Sequence, residues 1–403
     1  MNAPFSPSRR ALLGGAMGMT GVAALGPSTL AAGNRGQVQQ ISDGWRRAIE
    51  AVMEIAGIAG ASVFVGVPGE DPLVTALGVA DLATMTPVTE ATYFRIGSVT
   101  KTFVATVVLQ LVDEGLLALD DTIDAYGFTS LQNAPFISIR NLLNMTSGLP
   151  DYTHSPELLE LVVTDPAYPV TPQELIAFAE TMPSAQPDAG YSYCNTNYIV
   201  LGLIAEQLTG DSLARLLHDR IFEPLGMTHT ALQTAESLPE PFARGYGRAD
   251  QVAMFIGMEG EEAEALAEMA TPLADADGVI DFTDLNPGFA WAAGACYSIA
   301  DDLTRWLPAL LDGALISEEL QRERLEFVPV MDWGGDGGGY GLGIASFGET
   351  LGHSGTIPGY STFVLIDRTT GSQQIILTSL SGGGGAGVAA EKLGEALRAL
   401  FSR

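Results

Sequence analysis

The spacing of apolar residues changes character several times along the chain. Trp45, Ile49, Val52, Met53 and Ile55 fall at helical intervals behind Ser42-Asp43, which predicts an amphipathic helix over Ile41–Ala56. Two short runs, Ala61–Val67 and Leu73–Val79, read as strands around the turn set Pro68-Gly69-Glu70-Asp71-Pro72. An apolar stretch, Tyr93–Ile96, leads into Gly97-Ser98. Beyond it Phe103, Val104, Val107, Val108, Leu111 and Val112 return to helical spacing as far as Gly115. Helical patterns then dominate to about residue 240, at Ser138–Leu143, Pro172–Glu180, Tyr198–Leu208 and Leu213–Phe222. Residues 249–288 are acidic, Ala-rich and turn-rich, and read as a surface excursion. After a helix over Asp301–Leu311, strand-like runs come back at Tyr340–Phe347, Thr350–His353, Tyr360–Asp367 and Gln373–Ser379, before a last helix at Ala389–Phe401. Strands at both ends around a helical middle predict an α/β (α+β) fold. Residues 41–100 and 290–403 build one α/β part, and a helical lobe, 101–289, is inserted between them.

Composition narrows the partners. With 47% hydrophobic and 17% charged residues the chain suits a globular protein with a sizeable core. Its 48 acidic and 19 basic residues leave a net charge of −29, which disfavours nucleic acid and anionic membrane surfaces. The basic residues are almost all arginine, because Lys101 and Lys392 are the two lysines of the sequence. A chain that hardly uses lysine has placed one at the head of an apolar helix.

The first 32 residues resemble an export signal of the twin-arginine kind. Arg9-Arg10 precedes a weakly apolar Gly/Ala-rich run to about Leu25, then Pro27 and small residues up to Ala31-Ala32. A Sec signal or a single membrane anchor is the alternative, but the glycines and Pro27 make a spanning helix unattractive. No stable membrane span is expected once residues 1–32 are removed, and the rest of the chain, with a single domain over 37–403, is expected to be periplasmic or secreted. Cys194 and Cys296 are expected to be unpaired, buried thiols.

No Cys/His cluster has zinc spacing. The acidic run Asp275–Asp284 echoes part of a calcium-binding loop but puts Leu273 where the first ligand belongs, so a solvated loop is expected. No metal or cofactor is expected.

The candidate chemistry begins at Ser98-Val99-Thr100-Lys101. Residues three apart on a helix share a face, so the Lys101 amine can reach the Ser98 hydroxyl. A serine hydroxyl needs such a base, and burial at the positive end of a helix can bring a lysine toward neutrality. Alone, the motif reads equally as a helix-capping serine followed by an exposed lysine. Two further stretches change that: Tyr193-Cys194-Asn195 before an apolar helix, and His353-Ser354-Gly355-Thr356 after a strand-like segment.

In this order and spacing the three motifs resemble those of the serine β-lactamase-like hydrolases. That family includes class C β-lactamases, serine D-Ala-D-Ala carboxypeptidases, D-amino-acid peptidases and related esterases. Connecting text such as Ile139–Pro150 is similar too, and the likeness spans roughly residues 40–400. It implies an antiparallel sheet flanked by terminal helices, and catalysis through an acyl-enzyme. It also implies roles: Ser98 as nucleophile, Lys101 as its base, Tyr193 as proton relay, and Asn195 as a partner of the substrate amide. The N–H groups of Ser98 and Thr356 would form the oxyanion hole, and Gly355 would leave room for substrate along the strand. Such a protein takes a small-molecule or peptide substrate, with a D-Ala-D-Ala or other D-amino-acid peptide first, an ester or β-lactam next, and a non-hydrolytic penicillin-binding sensor as the reading of another class. His353 departs from β-lactamases, which usually carry lysine there, and a mostly neutral imidazole is a poorer partner for a β-lactam carboxylate.

Overall fold

The computed structural model describes residues 35–233, 237–248, 264, 267–268, 270–330, 338–381, 390 and 393–394. The expected export signal, Lys392 and most of the predicted last helix lie outside these residues. Among the described residues no helix is long and apolar enough to cross a membrane.

The strands run in chain order as β1 (Gly60–Gly66), β2 (Leu73–Asp81), β3 (Thr86–Pro87), β4 (Phe94–Arg95), β5 (Ala231–Leu232), β6 (Tyr246–Arg248) and β7 (Val279–Asp281). They continue as β8 (Cys296–Ser298), β9 (Val328–Pro329), β10 (Gly338–Tyr340), β11 (Ala345–Phe347), β12 (Thr350–Ile357), β13 (Tyr360–Asp367) and β14 (Gln373–Thr378). Nine of them form one antiparallel sheet in the order β3-β2-β1-β14-β13-β12-β11-β10-β9. The N-terminal strands thus pair with the last one, which joins the two ends of the sequence in a single layer.

Both faces of this sheet are covered, and β13 shows how. It is buried nearly throughout, yet its side chains alternate between two cores: Val364 and Ile366 face one, Phe363 and Leu365 the other. A two-residue period inside an apolar run does this whenever both faces are covered. The outer core is closed by the helix α1 (Arg35–Ala56) through Ile49 and Met53, together with Ala390 and Leu393 near the other end of the chain. The inner core is larger and contains the helix α2 (Thr100–Asp113), which is buried on nearly every side. A helix apolar all round has to run through the interior. Its first turn, with Lys101, is therefore inside the protein rather than on its surface.

Three sequence expectations need amendment. The predicted strand Tyr340–Phe347 is two strands, because Gly341–Ile344 makes a tight turn closed by the Gly341 N–H donating to the Ile344 carbonyl at 2.8 Å. The predicted strand ending at His353 runs on to Ile357, paired with β13 over its whole length. Within 249–288, the described part is not all surface: β7 pairs with β6, and Ile280 and Leu285 are buried. Of the acidic run there, Asp275 accepts from the Asp277 and Val279 N–H groups of its own turn, and Asp281 pairs with Arg244 at 2.6 Å.

Candidate active site

Ser98 sits in a single 3-10 turn, Gly97–Val99, that leads directly into α2. This turn leans on β12 with no side chain between them. A Cβ at Gly97, whose φ is +52°, would come within 2.6 Å of the Thr356 nitrogen. One at Gly355 would come within 2.0 Å of the Ile96 carbonyl oxygen and 3.1 Å of the Ser98 nitrogen. The missing side chain at Gly355 is thus required by the protein's own turn, before any substrate is considered. As a result, the backbone nitrogens of Ser98 and Thr356 are held at the same corner of a cleft of about 460 Å³, which both residues line.

Lys101 is wholly buried. Its Nζ lies 2.9 Å from Ser98 Oγ, 2.7 Å from Asn195 Oδ1 and 2.7 Å from the Ala293 carbonyl oxygen. Burial pushes the amine down to about 7, with Asp151 and Cys194 acting in the opposite sense. Near neutral pH the unprotonated amine is therefore well populated. It has two N–H bonds, and Asn195 Oδ1 and the Ala293 carbonyl can only accept. Once they are satisfied, the lone pair is left facing the Ser98 hydroxyl, as proton abstraction requires.

The Tyr193 ring centroid lies 4.8 Å from Lys101 Nζ, and its phenol interacts with the Ser98 hydroxyl. Burial raises the Tyr193 hydroxyl well above its ordinary value, with the Ser98 contact opposing. The neighbouring groups are thus driven apart: the amine can be a base at neutral pH, whereas the phenol keeps its proton and can donate it.

Asn195 is turned by two neighbours of opposite demand. Its Nδ2 donates to Asp151 Oδ2 at 2.8 Å, and its Oδ1 accepts from Lys101. Residue Asp151 also accepts the Asn195 backbone N–H at 2.9 Å. Neither Asp151 nor Ala293 was singled out by sequence reasoning. The motif-like stretch stops at Pro150, one residue short of Asp151, and Ala293 contributes only a carbonyl, for which a sequence carries no mark.

His353 lines the cleft and is buried. Its Nε2 lies 2.9 Å from the Tyr340 hydroxyl and its Nδ1 against the Ser354 carbonyl oxygen. A carbonyl can only accept, so Nδ1 carries the proton and Nε2 accepts from Tyr340. Burial and the nearby Lys101 push the imidazole down to about 3. It is neutral at physiological pH and bonded at both nitrogens. Among the described residues no lysine or arginine lines the cleft, Asp151 is its carboxylate, and His154 lines it as well as His353.

Elsewhere, Cys194 and Cys296 are free, buried thiols, and burial raises both to about 12. The exposed groups of His218, Asp219 and Glu223 lie within 4.8 Å of one another, but Asp219 already pairs with Arg215 and His218 on the surface.

Similarity to known proteins agrees with this arrangement. The β-lactamase family profile matches residues 45–398. A D-amino acid amidase from Ochrobactrum anthropi SV3, solved with D-phenylalanine, is 30% identical with a TM-score of 0.74, covering 89% of this chain and 98% of that one. A D-stereospecific amidohydrolase from Streptomyces sp. is 28% identical with a TM-score of 0.72, covering 88% of this chain and 98% of that one. A D-aminopeptidase of Brucella anthropi is 32% identical over 310 residues, which is 75% of this chain and 52% of the relative. Penicillin-binding protein 4 of Amycolatopsis lactamdurans is 34% identical over 199 residues, covering 48% of this chain and 50% of the relative. The chain spans about half the length of the curated relatives it matches. With the family profile covering most of its length and the sheet, turn and buried lysine in place, the chain belongs to the β-lactamase family of serine hydrolases.

Proposed function

We propose that the protein hydrolyses amide bonds of D-amino-acid derivatives through an acyl-enzyme on Ser98. The observation that carries this reading is the neutral-capable Lys101 amine at 2.9 Å from Ser98 Oγ, oriented by two acceptors. Ser98 Oγ attacks the substrate carbonyl as its proton passes to Lys101. The N–H groups of Ser98 and Thr356 receive the developing oxyanion. Tyr193 hands a proton to the departing amine, and water then cleaves the ester as the same groups run in reverse.

The preference among substrates rests on charge. A leaving group that ends in a carboxylate, as in a D-Ala-D-Ala peptide, or a β-lactam carboxylate, finds no lysine or arginine among the described residues that line the cleft, and a neutral, fully bonded His353. D-amino-acid amides bring no carboxylate to the leaving side, and they, with peptides carrying a free N-terminal D-residue, are the substrates suggested by the names of the amidase and aminopeptidase relatives. Export to the periplasm or beyond is part of the proposal and is supported by Arg9-Arg10 and the apolar run behind it.

The test compares D-alanine amide, N-acetyl-D-Ala-D-Ala and benzylpenicillin by turnover and intact mass. Turnover of the amide well above that of the acylated dipeptide is expected. A stable penicillin adduct on Ser98 without turnover of any substrate would favour a sensor. No adduct with any of them, nor with a fluorophosphonate, sinks the hydrolase reading.

A further inference from the structure

Asp151 occupies an unusual place. It lines the cleft, yet both of its oxygens are already engaged. Oδ2 accepts from the backbone N–H and the side-chain Nδ2 of Asn195, at 2.9 and 2.8 Å. Oδ1 accepts from the N–H and hydroxyl of Thr153, at 3.0 and 2.8 Å. A carboxylate has about four acceptor positions, and here all are filled by the protein. Such a group is poorly placed to recruit a substrate cation of its own. Instead it dictates what its neighbour does. An asparagine amide can turn over at little cost when nothing distinguishes its two ends. Against a carboxylate that can only accept, the Asn195 nitrogen must point to Asp151, and its oxygen then must point to Lys101.

We propose that Asp151 is a positioning residue for the base: by fixing the Asn195 amide in one orientation, it aims the Lys101 lone pair at Ser98. If the amide turned over, Nδ2 would face Lys101, and a neutral amine would meet that donor with its lone pair instead of offering it to Ser98. The inference rests on the proposed roles of Ser98 and Lys101. The ionisable groups facing Lys101 are Asp151, Cys194, Tyr193, Tyr198 and His353. Of these, Asp151 is the carboxylate, and its charge holds the amine up against the effect of burial.

Asp151→Asn tests this, because an amide there must present its nitrogen either to the donors of Asn195 or to those of Thr153. The readout is the rate of Ser98 labelling by a fluorophosphonate probe from pH 5 to 9, resolved into the maximal inactivation rate and the half-saturating concentration. The maximal rate is expected to fall roughly ten- to a hundredfold, with half-saturation unchanged. The acid limb is expected to move to lower pH, since a negative charge beside the amine has gone; loss of packing alone would not move it. In a cycle of Asp151→Ala, Asn195→Ala and the double variant, the double is expected to be no slower than Asn195→Ala. Unchanged maximal rate and acid limb in Asp151→Asn, or additive effects in the cycle, would overturn the proposal. Failure of the parent protein to label at Ser98 would instead remove the hydrolase reading beneath it. Should the Asp151 variants fail to fold, Thr153→Val removes one bond to the far carboxylate oxygen. A loss of about two- to threefold in maximal rate at constant half-saturation is then expected, and no loss would overturn the proposal.

Discussion

Lys101, within α2, and Arg324, which ends the separate helix Glu318–Arg324 and bonds to α2, are two buried basic residues that do opposite things. Lys101 belongs to the first turn of α2, while Arg324 donates to Thr106 Oγ1 further along the same helix at 2.8 Å. Both are essentially without solvent contact. Burial pushes Lys101 down to about 7, so it can shed its proton near neutral pH. The same cause brings Arg324 only to about 10, and the guanidinium stays charged. Lys101 is ringed by acceptors and opens onto the cleft through Ser98. Arg324 is sealed in, meeting a hydroxyl and the Gln321 amide oxygen. Burial alone therefore does not make a base. The residue type decides it, and the role proposed for position 101 calls for a lysine in a chain whose basic residues are almost all arginine.

The comparison can be broken most sharply at position 101 itself. Lys101→Arg keeps a cation in the turn but removes a base able to act at neutral pH, and kcat is expected to drop roughly a thousandfold while the folded protein persists by circular dichroism. Activity within tenfold of the parent would contradict the assignment. Tyr193→Phe keeps the ring against Lys101 and removes the proton donor; a loss of about a hundredfold is expected, falling more on amides than on activated esters. The pH profile is the next test. Only the neutral amine can accept the serine proton, so activity should decline as pH falls through about 7, the value set by the buried lysine. A flat profile between pH 5 and 8 would mean that another group is the base. The smallest effect is reserved for the second cation. Arg324→Met removes a buried charge with no carboxylate partner among the described residues, and the melting temperature should stay level or rise by roughly 2–4 °C with kcat unchanged. A large fall in kcat would show that the two cations are coupled after all.

Much of the site could be read from the order of residues, because its parts obey fixed spacings. Ser98 and Lys101 share a helix face, and Tyr193 and Asn195 stand just before an apolar helix, Thr196–Thr209, whose burial anchors them. What escaped was whatever carries no pattern. Asp151 follows a proline in a loop and looks like any turn-forming aspartate, and its importance arises from Asn195, 44 positions away. The helical and strand periods were legible in the same sense. Strand ends were not: Ser354 and Gly355 interrupt the apolar pattern of β12, although its backbone pairing continues to Ile357. The break at Gly341–Ile344 was missed for the converse reason, since Leu342 and Ile344 keep an apolar look through a tight turn.

The glycine contact between the serine turn and β12 has a practical side. Gly97 and Gly355 act as a spacer of zero thickness, so the gap between two backbone nitrogens is set where no side chain can be trimmed or enlarged. Directed evolution toward new substrates should leave both codons untouched, because a methyl group at either would pry the turn from the strand. The room for variation lies elsewhere in the lining, at Phe289, Ala345 and Phe347, which are not among the groups crowding either glycine.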